Sequence, residues 1–90
     1  MSSTALRMIR WKLNEVMARY HIKNVDLANE IKISPNAVSN LRGSKTMPRI
    51  DGERLNSVCN GLTWICQRAG ENVVITPADL IEFQLDERVA

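Results

Sequence analysis

The chain is poor in aromatic and reactive side chains: its 90 residues include one Phe, one Tyr, two Trp, one His and two Cys. One Tyr and one Phe make a poor platform for stacking unpaired bases, which argues against RNA as the ligand. His21 is alone, and no nucleophile sits beside a base. No metal-ligand spacing or Gly-rich phosphate loop is present either, which argues against an enzyme. Cys59 and Cys66 are seven residues apart. On a helix they share one face about two turns apart, too far for a bond within one chain. They read as two small buried hydrophobes, and without further Cys or His nearby a zinc site has no support. No metal and no cofactor is expected. No apolar run approaches the ~18 residues that span a bilayer. The opening Met-Ser-Ser-Thr-Ala-Leu-Arg lacks a signal peptide's basic start and apolar core, so a cytoplasmic protein with no membrane partner is expected.

What is present is a single-domain length with an ordinary hydrophobic fraction, 44%, and a lopsided charge. Residues 1–49 hold nine basic and three acidic residues, a net +6, whereas residues 50–90 hold three basic and seven acidic, a net −4. A basic half joined to an acidic half fits a polyanion-binding face on one side, and equally an unevenly solvated surface.

Apolar spacing predicts five helices, an all-α fold, in one domain over residues 1–83 with a tail at 84–90. Leu6, Ile9, Leu13, Val16, Met17 and Tyr20 follow the i, i+3, i+4 rule over about four turns. Ser2, Ser3 or Thr4 would cap that first helix, and it should fade near His21. Lys23 to Lys32 forms a short second helix burying Leu27, Ala28 and Ile31. Ser34 then has the marks of an N-cap with Pro35 at N1, and a third helix runs to Leu41 or Arg42 and ends at Gly43. Asp51 can cap a fourth helix carrying Leu55, Val58, Cys59, Leu62, Ile65 and Cys66 on one stripe. Gly61 weakens that helix, and Gly70 is its better stop. Thr76-Pro77-Ala78-Asp79 starts a last helix to about Phe83, placing Leu80, Ile81 and Phe83 against the rest. Val73-Val74-Ile75 has extended character, but a single strand lacks a partner unless a second chain supplies one.

The informative feature is the break in "LANEIKISPNAVSNLRG", residues 27–43. Two short helices joined by a three- or four-residue turn form the geometry that sets one helix into the DNA major groove. Ala28 supplies the small residue where the helices touch, and Val38 and Leu41 clamp the second from below. Pro35, Asn36, Ser39 and Asn40 are left outside. Asn can pair bidentately with adenine, and Ser can bond base edges or phosphates. Capping fully explains Ser34, but Ser39 and Asn40 lie mid-helix where their propensity is unfavourable. Arg42 and Lys45 flank this face. Arg7, Arg10 and Lys12 could add phosphate contacts or form a solvated helix face. Trp11 and Trp64 lie off their apolar stripes, as contact-surface residues do, although packing under the C-terminal segment accounts for one of them.

The stretch "NVDLANEIKISPNAVSNLRGSKTMPRID" resembles the helix-turn-helix of the lambda Cro/repressor-like family, also called the XRE family. "MIRWKLNEVMARYHI" before it and "ITPADLIEF" after it resemble small bacterial regulators that are little more than that domain. Leu27-Ala28, Ile33-Ser34, Val38-Ser39 and Leu41 fall where the family pattern has Leu-Ala, Ile/Val-Ser, Ile/Val-Ser and Leu. The likeness covers residues 8 to 83, with its specific core at 24–43. It implies that Asn24 occupies a phosphate-binding position at the start of the second helix. It implies that Pro35, Asn36, Ser39 and Asn40 face base edges, and that Ser34, Arg42, Ser44 and Lys45 lie near phosphates. Two departures stand out. Lys32 replaces the usual Gly at the turn, so a positive φ there is expected to carry a cost, or the turn to differ. Lys23 replaces a capping Thr or Ser.

The function expected is that of a sequence-specific regulator binding double-stranded DNA as a homodimer, since one recognition helix covers few base pairs. Helix 4 with Trp64, Val73, Val74 and Ile75 is the candidate dimer surface. The competing expectation is a protein-interaction module, such as an antitoxin that keeps this fold and masks a small protein partner through the segment from Thr63 to Ile75.

Overall fold

In the computed structural model, which describes residues 9–83, the first apolar segment divides into two pieces instead of one long helix. Arg10–Trp11 is a short strand, β1, and the helix proper, α1, spans Leu13–Arg19. The physical reason lies in long-range partners. The backbone N–H of Trp11 donates to the Lys45 carbonyl (3.1 Å) and that of Lys12 to the Leu80 carbonyl (2.7 Å). Neither is free to continue a helix upstream. The N-cap is therefore Lys12, which offers no side-chain cap. The caps expected at Ser2, Ser3 and Thr4, together with Leu6 and Arg7, lie outside the described residues, as does the tail expected at 84–90. Leu13, Val16 and Met17 carry the buried face of α1.

His21 closes α1 by taking a left-handed conformation, φ 58°. Its N–H bonds the Ala18 carbonyl (3.3 Å), and that of Ile22 reaches back to Met17 (2.8 Å). This is the paired-bond stop that glycine usually makes. The second helix, α2, spans Asn24–Ile31. Lys23 has no acceptor to cap it, and the Asp26 carboxylate instead accepts the Lys23 backbone N–H (3.3 Å). Of the two alternatives at Lys32, the structure has the left-handed backbone, φ 60° and ψ 49°, despite the absence of glycine. Ile33 N–H then returns to the Ala28 carbonyl (3.0 Å), which turns the chain sharply.

Three residues later the chain is helical again: α3 spans Pro35–Gly43, and Ser34 Oγ accepts the Ala37 N–H (3.0 Å). The fourth helix, α4, spans Gly52–Arg68 and is capped by Asp51, whose carboxylate accepts the Arg54 N–H (2.8 Å). It runs through Gly61 unbroken and stops at Gly70, φ 91°. A glycine inside a helix costs about 0.5–1 kcal/mol relative to alanine. Here the cost has a packing reason. A Cβ on Gly61 would stand 2.6 Å from Ile31 Cγ2 and 3.0 Å from Leu27 Cδ1, so α2 and α4 touch at the glycine backbone.

The last helix, α5, is one turn, Pro77–Leu80, with the Asp79 carboxylate accepting the Thr76 N–H (2.9 Å). It does not continue to Phe83. Ile81–Glu82 becomes a strand, β2, antiparallel to β1 with Trp11 opposite Ile81 and Arg10 opposite Glu82. A bridge from Arg10 to Thr46 adds the loop after α3 to the other side of β1. Leu80 is fully buried and Ile81 half-buried, but Phe83 is 69% exposed and does not pack as expected. Val73–Ile75 belongs to neither a helix nor a sheet. Its hold on the fold is Thr63, whose Oγ1 accepts the Ile75 N–H (2.8 Å). One core results, with Leu13, Met17, Leu27, Val38, Val58, Leu62 and Leu80 at its centre. Both cysteines lie in it as free thiols.

Candidate nucleic-acid interface

The turn sets α2 and α3 against each other, and the burial of α3 divides it by face. Val38 is fully buried and Ala37 and Leu41 are half-buried, whereas Ser34, Pro35, Asn36, Ser39 and Asn40 are exposed. Among the described residues, the side chains of Asn36, Ser39 and Asn40 make no hydrogen bond. The nearby bond from Ser44 Oγ uses the Asn40 carbonyl (3.4 Å). Three short polar side chains thus stand on an exposed helix face with their donors and acceptors available.

The helix that presents them is held at both ends. Ser34 closes its start. Near its end, Trp11 Nε1–H donates to the Leu41 carbonyl (3.0 Å), which also accepts the Ser44 N–H of the C-cap (3.3 Å). Trp11 is therefore buried, and it packs under the C-terminal segment through its pairing with Ile81. This anchoring role is invisible in local spacing, because Trp11 and Leu41 are 30 residues apart.

The expected phosphate residues fall into three situations. Lys45 is exposed, and among the described residues its side chain makes no hydrogen bond or ion pair, while its backbone carbonyl accepts the Trp11 N–H. Asn24 and Arg42 are brought together: Arg42 Nη1 donates to Asn24 Oδ1 (2.8 Å). The same guanidinium donates to Asn14 Oδ1 from Nε (3.0 Å) and from Nη2 (2.7 Å). Asn14, on α1, was not among the candidates, and nothing in its sequence neighbourhood marks it. Arg10 departs from its expected role, since its guanidinium is shared between Glu82 (2.8 Å) and Glu15 (3.7 Å). A cation already facing two carboxylates is a poor phosphate ligand.

The residues of the candidate dimer surface differ in exposure and surroundings. Trp64 is 47% exposed and borders a small depression with Glu30, Ile31 and Asn60. Val73 and Val74 border a different one with Lys12, Glu15 and Arg19. Ile75 is only 5% exposed, so its side chain belongs to the core and is not available to a partner.

A cavity of about 720 Å³ forms an open groove beside the turn, where Lys32, Arg49 and Arg54 are interspersed with Asp51 and Glu53. Among the described residues, no three His, Cys, Asp or Glu side chains are grouped to hold a metal ion. Among them, too, no helix is long and apolar enough to cross a membrane. Burial pushes both thiols up from the ordinary cysteine range, reinforced by the charge of Asp79 at Cys59 and of Glu71 at Cys66. They stay protonated at neutral pH and are poor nucleophiles.

A short bracing helix, a three-residue turn opened by left-handed Lys32 and a second helix with a polar outer face define a helix-turn-helix DNA-binding domain. Residues 12–63 match the family model described as the Cro/C1-type helix-turn-helix DNA-binding domain, and the chain belongs to that family. It is a DNA-binding regulator of the Cro/C1 type. No curated protein and no solved structure matches the chain.

Proposed function

We propose that this chain is a sequence-specific transcriptional regulator that binds double-stranded DNA as a homodimer and reads a pseudo-palindromic operator. Each protomer lays α3 in the major groove. Asn36, Ser39 and Asn40 bond base edges, with Pro35 in apolar contact beside them. Asn24, Ser34, Ser44 and Lys45 meet phosphates on either side and set the register of the helix. The observation that carries this reading is the row of Asn36, Ser39 and Asn40. They are exposed and make no bonds of their own among the described residues, on a helix fastened at its start by Ser34 and at its end by Trp11.

One α3 spans too few base pairs to find a site in a genome, so a second copy supplies both affinity and specificity. The test is selection of random duplexes on the purified protein. The expected winner carries two related half-sites about one helical turn apart. Recovery of no common sequence would overturn the reading.

The second reading, a module that masks a small protein partner, draws on Trp64. Exposed tryptophans are enriched where proteins meet. It predicts that the chain co-purifies with a second small protein and that Trp64→Ala releases it. A chain that purifies alone, together with a selected operator, would remove this reading.

A further inference from the structure

The position of Asn14 adds something to the interface that neither the helix-turn-helix pattern nor the expected phosphate residues include. A guanidinium only donates hydrogen bonds. Since Arg42 directs Nε and Nη2 to Asn14 and Nη1 to Asn24, the atom that each amide turns toward it must be the oxygen. The three contacts therefore settle the flip of both amides, which are otherwise ambiguous. Each NH2 group is consequently turned away from the guanidinium, with two N–H donors to offer. Asn14 is exposed, and Asn24 half-buried at the first position of α2. Among the described residues, no carboxylate pairs with Arg42, so its charge reinforces those donors and is not cancelled.

We infer that Asn14 is a phosphate-contacting residue, and that Arg42 acts as a positioning residue, a bracket that aims the Asn14 and Asn24 amide donors at one phosphodiester group of the DNA backbone. The arrangement suits that ligand. A phosphodiester has two anionic oxygens that only accept, and neutral amide donors beside a fixed cation satisfy both oxygens and charge. It also explains why Arg42 is half-buried and triply bonded when a cation free to search for phosphate would be extended into water. The inference rests on the DNA-binding reading above and assigns a new contact within it.

The experiment compares wild type, Asn14→Ala and Asn14→Asp on the selected duplex and on a random duplex, at two salt concentrations. Asp is the decisive variant. Its carboxylate is nearly isosteric with the amide, holds Arg42 at least as well, and removes both donors. A purely structural role for Asn14 therefore predicts that Asn14→Asp costs no more than the repulsion of one added negative charge, a loss that fades at the higher salt concentration. The phosphate role predicts that Asn14→Ala weakens both duplexes by roughly tenfold, the scale of one hydrogen bond to a charged group. It predicts that Asn14→Asp weakens them further, with a loss that persists at the higher salt concentration, where charge repulsion is screened. Sequence preference should persist in both variants. The salt slope of Asn14→Ala should match that of wild type, because a neutral donor displaces no counterion. Melting temperatures of both variants should stay near wild type, since Asn14 is exposed. If Asn14→Asp binds as tightly as wild type at the higher salt concentration while Asn40→Ala loses the selected site, this inference fails and the DNA-reading function stands. If wild type binds no duplex at all, the function fails and takes the inference with it.

Discussion

Gly61 of α4 sits directly against Ile31 of α2, so close that a Cβ on the glycine would stand 2.6 Å from Ile31 Cγ2. The contact sets the distance between α4 and the helix that braces the recognition helix. In an open helix, replacing glycine with alanine stabilises by about 0.5–1 kcal/mol. Here the added methyl meets a branched, half-buried side chain. Gly61→Ala is expected to destabilise by roughly 1–3 kcal/mol, the range for overpacked cores. Urea unfolding measures it, and a stabilised variant would show that Ile31 yields.

Lys32 points the other way. Its left-handed backbone, φ 60°, costs an ordinary L residue about 1–2 kcal/mol, and no side-chain bond compensates it among the described residues. Lys32→Gly should raise stability by about 0.5–1 kcal/mol after allowing for the looser unfolded chain. His21→Gly should act similarly, for His21 closes α1 in the same conformation. A loss of stability in both would contradict the assigned turn geometry.

The two tryptophans should report different environments. Trp11 is buried and bonded to the Leu41 carbonyl, while Trp64 is half-exposed. In Trp64→Phe, the remaining fluorescence should resist quenching by iodide; in Trp11→Phe it should be readily quenched. Trp11→Phe also removes one of the two donors to the Leu41 carbonyl, which keeps the Ser44 N–H, at a cost of about 0.5–1.5 kcal/mol. Equal quenching of the two variants would refute the placement of Trp11.

An acid limb in stability is expected from Glu30 and Arg68, which join α2 to the end of α4 by a charge-assisted hydrogen bond. The hydrogen bond from Arg68, aided by its charge and opposed by desolvation, holds the Glu30 carboxyl below its ordinary value. A carboxylate lowered on folding stabilises the protein above its unfolded pKa, and that contribution is lost as pH falls through the folded one. Arg68 is 63% exposed, so the effect is small and screened by salt. Urea midpoints of wild type and Glu30→Gln should converge as the pH drops below the carboxylate range. Midpoints that differ by a constant amount at every pH would contradict the pairing.

Much of the helix-turn-helix is legible from residues alone, because it depends on local chemistry. Ser34-Pro35 marks a helix start through one hydroxyl and one missing N–H, and Asp51 does the same for α4. The positive φ at Lys32 is one of two outcomes that the family resemblance implies, since Lys32 stands where the family usually has Gly. What is not legible depends on partners far away in the chain. β1 and β2 are two residues each, too short for periodicity, and they pair across about 70 residues. Without that pairing, Arg10 and Trp11 look like part of a helix and Phe83 like part of its last turn. Ile75 resembles an exposed apolar residue until Thr63 is seen holding its backbone. Asn14 is an ordinary polar residue on a helix until Arg42, 28 positions on, reaches it.

The central claim is that the outward side chains of α3 read bases. The most direct measurement is the affinity ratio between the selected duplex and a random one, for wild type and Asn40→Ala at fixed salt. A bidentate base contact contributes about 1–3 kcal/mol of discrimination. The account predicts that Asn40→Ala lowers the ratio by roughly tenfold or more while affinity for the random duplex barely changes. An unchanged ratio, or equal loss on both duplexes, would mean that α3 does not read sequence through Asn40.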